Sequence, residues 1–214
     1  MTEIFYRNLP HYHPLNATYF ITFRLAGSLP LDALARMRQD YEQQERLLAA
    51  RLHGQELYEE RYKLQKKFFA QYDKMLDAAE HGPRWLAEPR FAEIVVCTIH
   101  ALHPEHYSLH AYCIMSNHAH LLIDQQGIPE PKPLKDGQHY TALSHAMRRL
   151  KGRTGYACAK LLGKKGAFWQ HESYDHVVRN EKEFERILAY IINNPVKAGL
   201  VNDWQEWPYT YVTL

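Results

Sequence analysis

The stretch Ile114-Met115-Ser116-Asn117-His118-Ala119-His120-Leu121-Leu122-Ile123 reads as the turn and second strand of a β-hairpin. Tyr107 to Met115 and His118 to Asp124 are adjacent extended segments joined at Ser116-Asn117. In a strand, residues i and i+2 project to one face, so His118 and His120 point together and Ala119 points away. A cation shared by two such imidazoles sits within about 2.0–2.2 Å of each nitrogen. Further along the chain, Ala189-Tyr190-Ile191-Ile192-Asn193-Asn194-Pro195-Val196-Lys197-Ala198-Gly199 sets a tyrosine and an amide one helical turn apart. Two histidines, an oxygen ligand and a nearby phenol are what a metal-assisted attack on a phosphodiester requires.

Upstream of the hairpin, Asn16 to Leu25 is rich in β-branched and aromatic residues and reads as the first strand. From Leu31 to about Glu80, mixed charge carries apolar residues at helical spacing. Leu34, Met37 and Tyr41 form one seam, and Leu64, Phe68, Tyr72 and Met75 another, with a break near His53-Gly54-Gln55. This is an exposed helical insertion, residues 31–80, within one domain spanning 1–214. Glu88-Pro89 starts a helix to about His103 with Phe91, Val95 and Ile99 inward. After the hairpin come a proline-rich loop over 127–137, a helix from about Thr141 to Leu162, and an extended segment from Ala167 to Val178. The last helix runs from Glu181 to Asn194, capped by Asn180 and with Glu181 and Glu183 in its first turn. Asn194 precedes a proline, so this helix is expected to bend or end there. Phe184, Ile187, Leu188, Ile191 and Ile192 form its packing face, with Glu183, Arg186, Tyr190 and Asn194 on the polar edge. Strands interleaved with helices around a central hairpin give an α+β fold of ferredoxin-like character, an antiparallel sheet flanked by helices.

With 214 residues and 46% apolar content, the chain can bury a sizeable core. No run of eighteen apolar residues exists, so no membrane span is expected. Three scattered cysteines, Cys97, Cys113 and Cys158, fit free thiols in a reducing cytoplasm. The net charge of +2 is unremarkable, but its distribution is not. Between Asp136 and Glu172 there is no acidic residue, while Arg148, Arg149, Lys151, Arg153, Lys160, Lys164 and Lys165 crowd that window. Such a stripe suits a phosphate backbone, and equally a solvated helix face. Trp169 and Tyr174 are aromatic candidates for stacking on bases, Trp169 also for core packing.

Bland readings stand beside these. Fourteen histidines make about one chance His-x-His pair expected, and a second, His11-Tyr12-His13, is present. The pair at 118 and 120 differs by opening an apolar strand beside Asn117. Leu122 and Ile123 follow it in place of a downstream Asp-His, which argues against a binuclear zinc hydrolase. Among fifteen tyrosines, Tyr190 could be a border aromatic with a wet hydroxyl.

Met115-Ser116-Asn117-His118-Ala119-His120-Leu121-Leu122 resembles the metal-binding strand of HUH-type single-strand transposases. Phe168-Trp169-Gln170-His171-Glu172-Ser173-Tyr174-Asp175-His176, followed by Tyr190 and Asn193-Asn194-Pro195-Val196-Lys197-Ala198-Gly199, resembles REP-associated tyrosine transposases, a branch of the insertion-sequence-200-like family. The resemblance covers most of Pro89 to Pro208 and the first strand, and implies an HUH nuclease fold. Ser116 stands where relatives usually carry proline, Ala119 where they carry a bulkier apolar residue, and the 31–80 insertion is longer than in minimal members. The resemblance further implies that His118 and His120 bind Mg²⁺ or Mn²⁺, with Asn194 as third ligand and Tyr190 as nucleophile. The implied activity cleaves and rejoins single-stranded DNA near REP-type hairpins through a 5′-phosphotyrosine. Arg148, Arg149, Lys151, Arg153, Lys164, Lys165 and Tyr174 are then the candidate contacts to single-stranded or hairpin DNA, in a monomer or homodimer. The competing reading is a non-catalytic hairpin-binding protein that keeps the fold.

Overall fold

A computed structural model describes residues 4–6, 10–132 and 140–213. The 133–137 part of the proline-rich loop lies outside them. The chain divides into two compact units, residues 27–83 and residues 1–26 with 84–214.

The smaller unit is a pair of helices, α1 (Leu31–Arg51) and α2 (Gly54–Ala78), broken at Leu52-His53, where the backbone turns extended. Leu29, Leu34 and Leu76 form its small core, with Tyr72 and Met75 packed against them. Tyr41 and Phe68 meet edge to face at 5.2 Å, joining the two seams. Charge runs along the outside, as in the Arg36–Asp32 pair at 2.8 Å and the Arg61–Glu45 pair.

The larger unit begins with a hairpin the sequence did not announce, β1 (Ile4–Tyr6) paired antiparallel with β2 (Pro10–Tyr12). Its core is a five-stranded sheet built from β3 (Thr18–Arg24), β4 (Ser108–Ile114), β5 (His118–Asp124), β6 (Tyr174–Val177) and β7 (Thr210–Val212). Helices α3 (Pro89–Leu102), α4 (Ala142–Leu162) and α5 (Glu181–Lys197) complete it. The sheet order is β6-β3-β5-β4-β7, and every pairing is antiparallel. Read in chain order, β3-α3-β4-β5-α4-β6 is a βαββαβ unit, the ferredoxin-like topology expected from the sequence. No helix among the described residues is long and apolar enough to cross a membrane.

Strand alternation divides the labour between the two sheet faces. Ile21, Phe23, Tyr112, Leu121 and Ile123 share one face with Phe91, Val95 and Ile99 of α3 and Leu143, Met147 and Leu150 of α4. Those residues make the main apolar core. The alternate residues face α5, which packs across β4, β5 and β7. Cross-strand partners share a face, so the register writes out rows on the α5 side. One row is Tyr174, Thr22, His120, Cys113 and Thr210; the next is His176, Phe20, Leu122, Ala111 and Val212.

Two expectations are corrected here. Of the extended segment 167–178 only β6 is a strand, preceded by a single bridge between Leu25 and Trp169. Phe168 and Trp169 are pulled into the core instead, and Trp169 Nε1 donates to Thr154 Oγ1 at 2.8 Å. Trp169 is therefore a packing residue. The last helix also does not end at Asn194; it continues through Pro195 to Lys197. A proline costs a helix the bond to the carbonyl four residues back, but near the C-terminus few turns follow to be disrupted. The end is then closed by Gly199 N–H donating to Val196 O and Leu200 N–H to Pro195 O, both at 2.9 Å, with Gly199 at φ 68°. This is the Schellman arrangement, and it accounts for the glycine in the Asn-Pro-Val-Lys-Ala-Gly run.

Candidate metal and nucleophile site

His118 and His120 are both fully buried on the α5 face of β5. Their Nε2 atoms lie 3.1 Å apart. Each outer nitrogen is occupied: His118 Nδ1 donates to Asn117 Oδ1 at 2.6 Å, and His120 Nδ1 pairs with Thr22 Oγ1 at 2.8 Å. Such partners fix the ring orientation and leave Nε2 as the inward donor atom. Complete burial, with a smaller contribution from the charge of Lys197, pushes the His120 pKa down to about 3. This imidazole is therefore neutral, the form that ligates a cation.

From the other side, α5 lowers Asn194 into the same place. Its amide nitrogen is 3.2 Å from His120 Nε2, and its Oδ1 is buried with no hydrogen-bond partner among the described residues. An orphaned buried amide oxygen costs about 1–3 kcal/mol unless something else satisfies it. Two nitrogens 3.1 Å apart would subtend roughly 90–95° at an ion about 2.1–2.2 Å from each. The two Nε2 atoms thus fit one divalent cation, with the unpartnered Asn194 oxygen as a candidate third donor.

Tyr190 stands one helical turn before Asn194, half-buried beside these donors. Its ring centroid is 5.4 Å from that of His120 and 5.9 Å from that of Phe20. Phe20 in turn stacks on His120 at 5.6 Å, so Phe20 and Tyr190 both flank this imidazole. Lys197 Nζ lies 5.4 Å from the Tyr190 ring centroid. Tyr174 is on this face too, but Thr22 separates it from His120 within their row. Two strand spacings put it roughly 10 Å away along the sheet.

The buried face of α5 differs from the one its apolar residues suggested. Glu183, Ile187, Ile191, Asn194 and Pro195 are buried, whereas Phe184, Leu188 and Ile192 are only half-buried. Glu183 and Asn194, assigned to the polar edge, face inward because each has polar company there. The Glu183 carboxylate accepts from Arg179 N–H at 3.1 Å and from Arg186 at 2.9 Å, and His176 lies at 3.2 Å.

The basic residues lie elsewhere. Helix α4 packs on the opposite sheet face, so Arg148, Arg149, Lys151 and Arg153 are separated by the sheet from His118, His120 and Tyr190. Arg148 and Lys151 line a cleft of about 630 Å³ between α4 and residues 166–175, with Tyr140, Tyr156 and Asp175. Lys151 Nζ donates to His171 O at 2.7 Å and Ser173 Oγ at 3.1 Å, tying the segment before β6 to α4. Arg148 lies over the Tyr140 ring at 5.1 Å, and Arg149 Nε donates to His145 Nε2 at 3.4 Å. Arg153 lines a smaller recess with Arg149. Lys164 lies over Trp85 at 5.3 Å, and Lys165 is exposed beside it. Thr22, Phe20, Lys197 and Glu183 drew no functional reading from sequence. Only Lys197 carried any signal, two turns beyond Tyr190; the others need the strand register or the packing of α5.

No family model matches the chain. A Haemophilus influenzae protein provisionally named REP-associated tyrosine transposase is 27% identical over 113 residues, 50% of this chain and 60% of that one. The Escherichia coli REP-associated tyrosine transposase is 34% identical over 67 residues, 31% of this chain and 38% of the relative. Both matches thus span less than two thirds of the relatives' own lengths. A solved structure described as a REP-associated tyrosine transposase bound to a REP hairpin aligns with 98% of this chain and 82% of its own, at TM-score 0.48 and 19% identity. The two curated relatives, to which this chain is similar over part of its length, carry the name of the family whose motifs this sequence resembles.

Proposed function

We propose that the chain is an HUH-type, metal-dependent single-strand DNA endonuclease and strand transferase acting near REP-type hairpins. The helical stretch 31–80, which falls within the compact unit 27–83, is read as an insertion within that one domain. One observation carries the proposal: a phenol ring 5.4 Å from an imidazole whose Nε2 sits 3.1 Å from a second imidazole and 3.2 Å from a buried amide. His118, His120 and Asn194 would hold Mg²⁺ or Mn²⁺, which when bound supplies a Lewis acid for the scissile phosphate.

Tyr190 is the nucleophile in this reading. Its hydroxyl gives up its proton to water as its oxygen forms a new ester bond to phosphorus and the P–O3′ bond breaks, and the departing oxygen takes a proton from water to become a 3′-hydroxyl. The 5′-phosphate stays on Tyr190, so the bond energy is conserved. Attack by another 3′-hydroxyl reverses the step, rejoining strands and returning the phenol. Helix α5 sets the distance, since its first turn is tied to β6 through Glu183 and its last turn to β5 through Asn194. Phe20 and His120 meet the Tyr190 ring edge to face and limit its sideways movement. Arg148, Arg149, Lys151, Arg153, Lys164 and Lys165 would grip phosphates of the hairpin away from the reacting linkage. Tyr174, on the reacting face, would stack on an unpaired base.

Incubation with Mn²⁺ and a labelled oligonucleotide containing a REP-type hairpin should give a denaturation-resistant protein–DNA adduct that Tyr190→Phe abolishes. An adduct that survives Tyr190→Phe would move the nucleophile to Tyr174. Hairpin binding without any adduct, unaffected by His118→Ala, would instead mark a protein that has kept only recognition.

A further inference from the structure

We propose that Lys197 is a substrate-contacting residue whose ammonium group binds a non-bridging oxygen of the scissile phosphodiester, an inference that rests on the nuclease reading above. Seven residues separate it from Tyr190, close to two full turns of α-helix, so both side chains leave the same side of α5. The structure bears this out: Nζ is 5.4 Å from the Tyr190 ring centroid. Lys197 is exposed, whereas His118, His120 and Asn194 are buried.

The last turn of α5 is held firmly enough to aim this side chain. Pro195 is buried, and Ala198 N–H donates to Asn194 O at 2.9 Å. Gly199 and Leu200 N–H close the helix end on Val196 and Pro195. Asn194 and Lys197 are three residues apart and Tyr190 four before Asn194, so the three project over one stretch of sheet. A phosphorus atom in line for attack must come within about 3–3.5 Å of the Tyr190 oxygen. Its non-bridging oxygens then fall within the sweep of a lysine side chain already lying against that ring. A phosphodiester gains negative charge on those oxygens as the fifth bond forms, so a fixed cation there binds the transition state more tightly than the ground state.

Two local roles could also explain the residue. A cation in the last turn complements the helix dipole, and an ammonium over an aromatic face is attractive in itself. Neither involves the charge of the substrate, and that is what separates them from a phosphate contact.

The experiment compares wild type, Lys197→Met and Lys197→Arg in single-turnover adduct formation with Mn²⁺, alongside binding of the uncleaved oligonucleotide without metal. The binding arm uses DNA with either an ordinary or an uncharged methylphosphonate linkage at the cleavage position. Lys197→Met should slow adduct formation by roughly 10²-fold, the scale of losing one transition-state donor, and Lys197→Arg should recover most of it. The methylphosphonate should weaken binding to wild type and have no further effect on Lys197→Met. Wild-type rates in Lys197→Met, no recovery in Lys197→Arg, or an equal methylphosphonate penalty in both proteins would each overturn the contact. A wild-type protein that forms no adduct sinks the nuclease reading and leaves no scissile linkage for Lys197 to meet, whereas an adduct formed equally fast by wild type and Lys197→Met overturns the contact alone.

Discussion

Replacing Glu183 by alanine should cost the fold about 3 kcal/mol, although the residue is charged and belongs to a helix's first turn. Its side chain is only 4% exposed and accepts from the Arg179 backbone N–H at 3.1 Å, with His176 at 3.2 Å and Arg186 at 2.9 Å. A bond from a buried N–H to a carboxylate is worth about 1.5–3 kcal/mol, and His176 adds about 1. The Arg186 side chain is 55% exposed, so its pairing is screened and adds little. The carboxylate also meets the positive end of α5, worth about 0.3–1 kcal/mol. For a chain of this size about 3 kcal/mol corresponds to a Tm lower by roughly 6–12 °C. The assay is urea denaturation read by circular dichroism, where the midpoint should fall at unchanged m-value. Glu183→Gln keeps an acceptor and the shape, and should lose roughly half as much. Because Glu183 ties α5 to the edge strand carrying His176, the alanine variant should also slow Tyr190 adduct formation more than it weakens hairpin binding. A loss below about 1 kcal/mol would refute the premise that this carboxylate is desolvated and held by the fold.

Asn117→Ala removes the acceptor for His118 Nδ1 and should weaken Mn²⁺ binding roughly 10–100-fold by titration calorimetry; unchanged affinity would mean Asn117 does not orient that ring. A Cβ at Gly199 would meet no atom within 4 Å, so Gly199→Ala should cost only the left-handed strain, about 1 kcal/mol. A thermal melt showing no loss would place the helix stop elsewhere. Burial pushes Tyr112 up to about 12 and Cys158 up to about 11, from ordinary values of 10.0 and 9.0, and raises Tyr107 further. These groups stay protonated in the fold and ionise sooner when unfolded. Their stabilisation is whole below about pH 9 and drains away as pH climbs toward 11–12. Denaturation midpoints that hold steady across that range would contradict it.

The local periods were legible without coordinates. Alternation in His118-Ala119-His120 put both imidazoles on one face, and helical spacing put Tyr190 a turn from Asn194. The order of strands and helices pointed to the ferredoxin-like sheet, because each element's type depends on neighbours a few residues away. Other features depended on partners far along the chain. Thr22 supports His120 only because the β3–β5 register pairs them across 98 residues, and nothing in either strand states that register. Apolar periodicity misjudged α5, since a hydrophobicity pattern cannot tell a buried, hydrogen-bonded Glu183 or Asn194 from a solvated one. It likewise could not say that α4 lies behind the sheet, for a basic stripe looks the same from either face. Sequence by itself determined the chemistry available to this protein. Tertiary structure decided which groups meet, because burial and cross-strand pairing are set by the whole packed chain and local pattern extends only a turn or two.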